Sequence, residues 1–316
     1  MSLDPQARNL LDLVAASGRP PWEQLPVAEA RADYLGRRHV VQPPPPDVAR
    51  VDELTIASGR HELAARHYRP VGTADADVLP ALVYFHGGGW TIGDLDSHDT
   101  LCRSLANGAG CAVVSVDYRL GPENRFPAAV ADALAAFDRI AGGAADFTID
   151  PGRIAVGGDS AGGNLAAVVA LACRDRGGPR PMFQLLIYPA TDMRLSHDSH
   201  RRNGDGYLLT ASLVEWFRGQ YIDDPRHYLD WRASPLLATR HDGLPPALML
   251  TAGYDPLVDE GDEYADRLAA SGVPVERVRF DRQIHGFITM GRMLDDAGVA
   301  IERCSRALRQ AFAGRR

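Results

Sequence analysis

The sequence predicts an α/β fold, in which a mainly parallel sheet of eight strands is flanked by helices. Apolar runs typical of buried strands alternate with stretches of about 10 to 15 residues that have helical spacing. One such strand, at 154–156, changes within a few residues into a helical pattern, as in a parallel βα unit. With 316 residues, 45% hydrophobic and 24% charged, the chain is long and apolar enough to bury a large core.

The elements follow one another in a regular order. The first two strands are separated by Ser58-Gly59-Arg60 and predict a hairpin. Strands are predicted at 51–57, 62–68, 81–86, 111–116, 154–156, 183–188, 247–251 and 275–280. Helices are predicted at 98–106, 128–140, after residue 160, at 260–270 and at 293–313.

Two segments do not follow this alternation. Residues 1–45 form an N-terminal arm with two helical patterns, and the prolines at 43–46 are a stiff spacer after it. Residues 191–240 are polar and aromatic and have no clear strand pattern. We therefore predict a main domain of residues 46–190 and 241–316, with an insertion at the strand ends that can cover a site.

Charge and composition exclude several classes of function. A net charge of −7 argues against nucleic-acid partners. The chain has no lysine, which excludes a Schiff-base lysine and a Walker-A phosphate loop. Its four cysteines are scattered, so neither a disulfide framework nor a zinc site is predicted. There is no signal-peptide pattern and no run of about 18 apolar residues, which predicts a cytoplasmic protein without stable membrane insertion.

The segment Gly158-Asp-Ser-Ala-Gly162 matches the pattern G-x-S-x-G. In that pattern a serine lies on a sharp strand-to-helix turn with its hydroxyl exposed. An ordinary βα turn would give the same five residues by chance, so the motif alone does not decide. Ser160 is the candidate nucleophile.

A nucleophilic serine needs donors for an oxyanion, and the strand that ends at Phe85 continues into His86-Gly-Gly-Gly-Trp90. Successive glycines let backbone N–H groups approach a ligand without an intervening side chain. A phosphate-binding loop is disfavoured because the chain has no lysine and no helix begins directly after Gly89. A plain flexible turn is the remaining alternative.

A base and an orienting acid follow two later strands. His285 lies just beyond the last strand, beside Gly286, and Asp255 is the first acid after strand 247–251. Asp259 and Glu260 are the alternative acids, although their place in a first helical turn has its own explanation in the helix dipole. The order Ser, Asp, His along the chain resembles the order that α/β-hydrolases use. Eight other histidines lie in or beside polar, surface-like sequence: His39, His61, His67, His98, His197, His200, His227 and His241.

Together these motifs resemble the bacterial hormone-sensitive-lipase-like esterases of the α/β-hydrolase fold. The resemblance covers residues 50–315 and includes Asp117-Tyr-Arg-Leu-Gly-Pro-Glu123 and Phe126-Pro-Ala-Ala129. Gly121 departs from the family pattern, in which alanine is usual.

The resemblance implies a serine carboxylesterase that acts on short- to medium-chain acyl esters and needs no cofactor or metal. It implies a triad of Ser160, Asp255 and His285, with an oxyanion hole from the backbone amides of three residues: Gly88, Gly89 and Ala161. It also implies a helical cap built from the arm 1–45 and the insertion 191–240, and a homodimer. An amidase, lactonase or acyltransferase on the same triad is an alternative, as is a non-catalytic relative that binds a small ligand.

Other residues support narrower predictions. Four aromatic side chains are candidates for the substrate pocket: Trp90, Tyr188, Trp216 and Phe217. Asp117, Arg119 and Glu123 form either an ion-pair brace beneath the glycine loop or a solvated charged loop. Asp159, next to the serine, is assigned no catalytic role.

Overall fold

One eight-stranded sheet organises the chain in the computed structural model, which describes residues 2–314. The strand order is β1-β2-β4-β3-β5-β6-β7-β8, with β2 antiparallel to both of its neighbours and every other pair parallel. This arrangement confirms the predicted fold class. The strands are β1 (Arg50–Ser58), β2 (His61–Arg69), β3 (Leu79–Phe85), β4 (Ala112–Val116), β5 (Ile149–Asp159), β6 (Gln184–Ile187), β7 (Ala247–Tyr254) and β8 (Val275–Ile284).

Helices cover both faces of the sheet. They are α1 (Pro5–Ala16), α2 (Val27–Val41), α3 (Asp99–Ala109), α4 (Ala128–Gly142), α5 (Ala161–Arg176), α6 (Asp198–Arg202), α7 (Ala211–Tyr221), α8 (Val258–Ala270) and α9 (Asp296–Phe312). Short 3₁₀ helices lie at Trp22–Gln24, Ala144–Phe147, Pro225–Leu229, Pro235–Leu237 and Phe287–Thr289. Within residues 2–314 no helix combines the length and the apolar character needed to cross a bilayer.

The alternation of side chains along β3 divides the core into two layers. Val83 and Phe85 pack on one face together with residues of α4, α5 and α8. Leu82 and Tyr84 pack on the opposite face together with residues of α3 and α9. All seven residues of β3 are buried, as expected for a central strand covered on both sides.

Some elements extend beyond their predicted bounds. β5 begins at Ile149 rather than at residue 154, and its pairing with β3 shifts register between Leu79 and Ala81. The exposed Pro151 and Gly152 lie in this irregular stretch, so no continuous apolar run marks its start. β7 and β8 also run three to four residues past their predicted ends.

The parallel strands place the predicted functional segments along one edge. β3, β5, β7 and β8 run in the same direction, and residues 86–90, 160, 255 and 285 directly follow their carboxyl ends. This is the edge at which open α/β sheets bind ligands. The described segment 191–240 contains α6, α7 and two 3₁₀ helices but no strand.

Candidate active site

Ser160 lies on the turn between β5 and α5. Its backbone torsions, φ 54° and ψ −116°, are strained for a residue with a side chain. The flanking glycines make the turn possible, because a side chain on Gly158 or Gly162 would collide with the backbone of Phe85 in β3. The serine is thereby held at the sheet edge, in the wall of a cavity.

His285 bridges Ser160 and Asp255. Its Nε2 lies 2.9 Å from Oγ of Ser160 and its Nδ1 lies 2.6 Å from Oδ2 of Asp255. When Nδ1 donates its proton to the carboxylate, Nε2 is left as the acceptor for the serine hydroxyl. Gly286, with φ 80°, gives the chain its turn directly after the histidine.

Asp255 is fully buried and its second oxygen accepts the backbone N–H of Leu257 at 2.8 Å. The two alternative acids are engaged elsewhere. Asp259 forms an ion pair with Arg202 at 2.8 Å, and Glu260 bonds His200 at 2.8 Å. The structure therefore brings Asp255, rather than its neighbours, to the histidine.

The glycine loop after β3 lies beside the serine, since Gly88, Gly89 and Ser160 line the same cavity. Gly88 has φ 118° and Gly89 has φ 57°, and a side chain on Gly88 would collide with the carbonyl of Ile92. No residue within 2–314 accepts a backbone hydrogen bond from the amides of Gly88 or Gly89. Ala161 is the first residue of α5, at the helix end that favours negative charge.

The side chain of Asp159 holds the glycine loop through a hydrogen bond, a contact that the sequence analysis missed. Its Oδ1 accepts the N–H of Gly87 at 2.9 Å and the hydroxyl of Tyr84 at 2.7 Å. Nε2 of His98 lies 3.3 Å from the same carboxylate. Burial raises the pKa of Asp159, but the His98 ring and the Tyr84 hydroxyl outweigh burial and hold this pKa below its ordinary value.

The interpretation of several histidines as surface residues is wrong. His67, His98, His200 and His241 are all buried. Two of them have a partner far away in sequence, since His98 lies against Asp159 and His200 against Glu260. The partner of His241 is nearer in the chain: its Nε2 lies 3.1 Å from the Pro235 carbonyl, six residues away. The residues next to these histidines in the sequence are polar, but the fold buries the imidazole rings.

A cavity of about 120 Å³ opens at Ser160 and His285. Of the four predicted pocket aromatics, Trp90 and Phe217 line it, whereas Tyr188 and Trp216 lie behind its wall. The Tyr188 ring packs 4.6 Å from the His285 ring, and Trp216 packs 5.1 Å from Phe217. The sequence analysis missed lining residues from the arm and from apolar pairs within the polar insertion: Trp22, Tyr34, Leu208, Leu209, Leu213 and Val214.

The three charged residues after β4 do not form a brace with one another. Arg119 pairs with Asp132 at 2.7 Å, and Glu123 pairs with Arg31 of the arm at 2.7 Å. Asp117 is half-buried, and burial raises its pKa to about 6. Arg119 and Glu123 instead join separate elements, because their partners lie on α4 and α2.

This arrangement is suited to nucleophilic catalysis. A hydroxyl bonded to an imidazole, which is in turn bonded to a buried carboxylate, is the arrangement that activates a serine. Unpaired backbone amides beside it suit the negative charge that develops on a carbonyl oxygen. The site and the sheet are those of an α/β enzyme with a serine at the β5–α5 turn.

The chain belongs to the α/β-hydrolase fold family, whose model matches residues 82–289. It is 46% identical over 265 residues to the carboxylic ester hydrolase LipN of Mycobacterium tuberculosis, covering 82% of this chain and 70% of that protein. It is 41% identical over 320 residues to the ethyl acetate hydrolase of Pseudomonas putida, covering 98% and 99% of the two chains. The predicted resemblance to hormone-sensitive-lipase-like esterases is confirmed.

Solved structures agree with these relatives. An ester hydrolase from the metagenome of Lake Arreo, complexed with a bipyridine phosphonate derivative, matches with a TM-score of 0.96 and 45% identity over 98% of this chain and 99% of that one. The hyperthermophilic esterase of Pyrobaculum calidifontis matches with a TM-score of 0.91 and 40% identity, over 98% and 99% of the chains.

Proposed function

We propose that the protein is a serine carboxylesterase that hydrolyses short- to medium-chain acyl esters through an acyl-enzyme. The observation that carries the proposal is the position of the His285 ring, 2.9 Å from Ser160 and 2.6 Å from Asp255. Relatives that are 46% and 41% identical are named as ester hydrolases, which supports the same reaction.

In the first half-reaction Nε2 of His285 takes the Ser160 proton while Oγ attacks the ester carbonyl carbon. The carbonyl oxygen becomes an oxyanion, which the amides of Gly88, Gly89 and Ala161 stabilise. The imidazolium then gives its proton to the departing alcohol as the C–O bond breaks. Asp255 stays ionised and holds the ring in the tautomer that presents Nε2 to the serine.

In the second half-reaction water takes the place of the alcohol. His285 removes a proton from this water, whose oxygen attacks the acyl carbon of the serine ester. The same three amides hold the second oxyanion. Return of the proton to Oγ releases the acid and restores the free serine.

The cavity supports a small acyl group as the preferred substrate. Its volume of about 120 Å³ and its lining of Trp90, Phe217 and several leucines favour an apolar chain of a few carbons. We expect kcat/KM on a p-nitrophenyl ester series from acetate to laurate to peak at or below hexanoate. A matched ester and amide pair separates an esterase from an amidase on the same triad.

We propose further that the arm 1–45 and the insertion 191–240 form the cap over the catalytic domain. Side chains of both segments in the cavity wall, including Trp22, Tyr34 and Phe217, support this division. A homodimer is also proposed, since β8 ends the sheet with one unpaired edge within the described chain. Four free, buried cysteines fit a reducing compartment such as the cytoplasm.

The decisive experiment replaces the nucleophile. Ser160→Ala is expected to fold like the parent and to lose at least about 10⁴-fold in kcat toward p-nitrophenyl butyrate. Labelling by a fluorophosphonate is expected to disappear in the same variant. Ser271→Ala, at the end of α8, is the matched control and keeps both properties. Retained hydrolysis in pure Ser160→Ala would exclude the proposal.

A further inference from the structure

Two histidines and a buried carboxylate meet where the insertion contacts α8, outside the triad. His197 and His200 come from α6 and the residue before it, and Glu260 comes from the first turn of α8. Each offers a ligand atom, and these atoms lie within 4.8 Å of one another. His200 and Glu260 are buried and His197 is mostly so.

His197 is held between two carboxylates. Its Nε2 lies 2.9 Å from Oε2 of Glu263, and its Nδ1 lies 3.6 Å from Oδ2 of Asp192. A neutral imidazole carries one proton, so one ring nitrogen always directs a lone pair toward a carboxylate. Nδ1 is shielded from solvent and makes no hydrogen bond with any residue of the described range 2–314. A cation at Nδ1 would remove this repulsion.

Glu260 is the anchor of the cluster. Its Oε1 accepts the backbone N–H groups of Thr191 at 2.6 Å and Asp192 at 3.1 Å. These bonds fix the carboxylate and leave Oε2, which lies 2.8 Å from Nε2 of His200. Nδ1 of His200 is shielded from solvent and has no hydrogen-bond partner in the part of the chain that the structure describes. The donors are therefore already oriented by the surrounding protein.

The charges around the cluster favour a cation. Three carboxylates face the cluster, from Asp192, Glu260 and Glu263, and two of them are paired with guanidinium groups. Arg194 binds Asp192 at 2.7 Å and Arg267 binds Glu263 at 2.8 Å. With neutral imidazoles the group carries one net negative charge, which a bound dication would compensate.

We propose that His197, His200 and Glu260 bind a divalent transition-metal ion, with Zn²⁺ as the expected occupant. Two imidazoles and one carboxylate are a common zinc donor set, and such mixed ligands disfavour Mg²⁺ and Ca²⁺. Bond lengths of about 2.0–2.2 Å place the ligands of a tetrahedral ion about 3.4 Å apart. Binding therefore requires the most distant donor atoms to approach one another, and Oε2 of Glu260 to move slightly away from Nε2 of His200. The ion takes the place of the proton on Nε2 of His200, and this proton moves to Nδ1, so that the ring binds as a neutral imidazole.

Such an ion would link the insertion to α8. Asp192 and Glu260 also border the cavity, so the occupied site lies beside the substrate pocket without entering the triad. The proposal goes beyond ester hydrolysis and does not depend on it. It differs from the sequence-based expectation, which assigned no metal to this chain.

The test measures zinc bound by the full chain after chelator treatment and desalting. Equilibrium dialysis against micromolar ZnCl₂, followed by elemental analysis, is expected to give one zinc per chain and a raised melting temperature. His197→Ala/His200→Ala is expected to lose this zinc, and His197→Gln alone to weaken binding at least tenfold. MgCl₂ at the same concentration is expected to leave the melting temperature unchanged.

Controls separate the cluster from surface adsorption and from misfolding. His39→Ala/His61→Ala removes two exposed histidines and is expected to keep one zinc per chain. Circular dichroism and hydrolysis of p-nitrophenyl butyrate verify that each variant is folded. No stoichiometric zinc in the parent chain, or equal zinc in the parent and in folded His197→Gln, would overturn the proposal.

Discussion

Asp159 shows how a single side chain outside the triad can set the geometry of the reaction. Its carboxylate accepts the N–H of Gly87, the residue directly before the proposed oxyanion donors. It is 4% exposed and also meets Tyr84 and His98. We infer that Asp159 is a positioning residue: it fixes the glycine loop, and the loop in turn fixes the amides.

Asp159→Asn is expected to lower kcat by about 10- to 100-fold while KM changes less than threefold. The amide oxygen can still accept the N–H of Gly87, but it carries no charge, so the hydrogen bond that holds the loop weakens. Removing one member of a buried charged group also costs about 3 kcal/mol of unfolding free energy. Steady-state kinetics and chemical denaturation measure both effects. Asp242→Asn, an exposed carboxylate, is the control, and an unchanged kcat in Asp159→Asn would contradict the inference.

At this scale the sequence is informative where a function is carried by a short motif. Ser160 and the glycine loop could be predicted because their glycines are adjacent in sequence. His98 could not be placed, because its partner Asp159 is 61 residues away and no pattern joins them. The position of Tyr188 could not be predicted either: its sequence suggested a pocket residue, but its ring packs behind His285.

Among the elements, α2 shows how a terminal segment becomes part of the site. Arg31 donates hydrogen bonds to the carbonyls of Thr91 and Gly121, both at 2.8 Å, and forms an ion pair with Glu123. These contacts hold the helix that carries Tyr34 against the cavity. Ala30, beside Arg31, is fully buried in the core.

Arg31→Ala is expected to raise KM for p-nitrophenyl butyrate about five- to tenfold with kcat little changed. The reason is that the arm forms one wall of the cavity but contributes no reacting group. Two carbonyls lose a charged donor, which also lowers the melting temperature by several degrees. Arg19→Ala is the matched control, because Arg19 is exposed and pairs with Asp33 of the same arm. If kcat fell by the same factor by which KM rose, this role of Arg31 would be contradicted.

Hydrophobic periodicity predicts most strands of the sheet, but it does not reveal the contacts that hold the N-terminal arm 1–45 in place. The bonds of Arg31 join residues about 60 to 92 positions apart, and a sequence pattern records only near neighbours. The start of β5 was missed for a local reason, because Pro151 and Gly152 interrupt its apolar pattern.

For the molecule as a whole, buried histidines predict how stability depends on pH. His67 is 2% exposed, and its Nε2 has no hydrogen-bond partner among the described residues. Burial lowers its pKa from 6.5 to about 4 despite the nearby Asp52. Between those two values the unfolded chain binds a proton that the folded chain does not. His67 therefore makes stability fall as the pH drops from about 6.5 toward 4.

We expect the parent chain to lose about 2 kcal/mol more unfolding free energy than His67→Gln when the pH falls from 7.5 to 5. Urea denaturation at both pH values measures this difference, which is independent of any constant cost of the substitution. His61→Gln, on the same hairpin but exposed, is expected to follow the parent. Identical pH dependence in the parent and in His67→Gln would refute the assignment.

The cavity wall is built from stretches that are remote from one another in the chain: Trp22 and Tyr34, residues 193–218, and Met290. The reacting groups, by contrast, lie on turns fixed by the sheet. The proposed reacting groups and the side chains that shape the substrate cavity thus lie largely on different segments of the chain. Recombining arms and insertions between homologous chains should yield enzymes with altered acyl preference and an undamaged reaction centre.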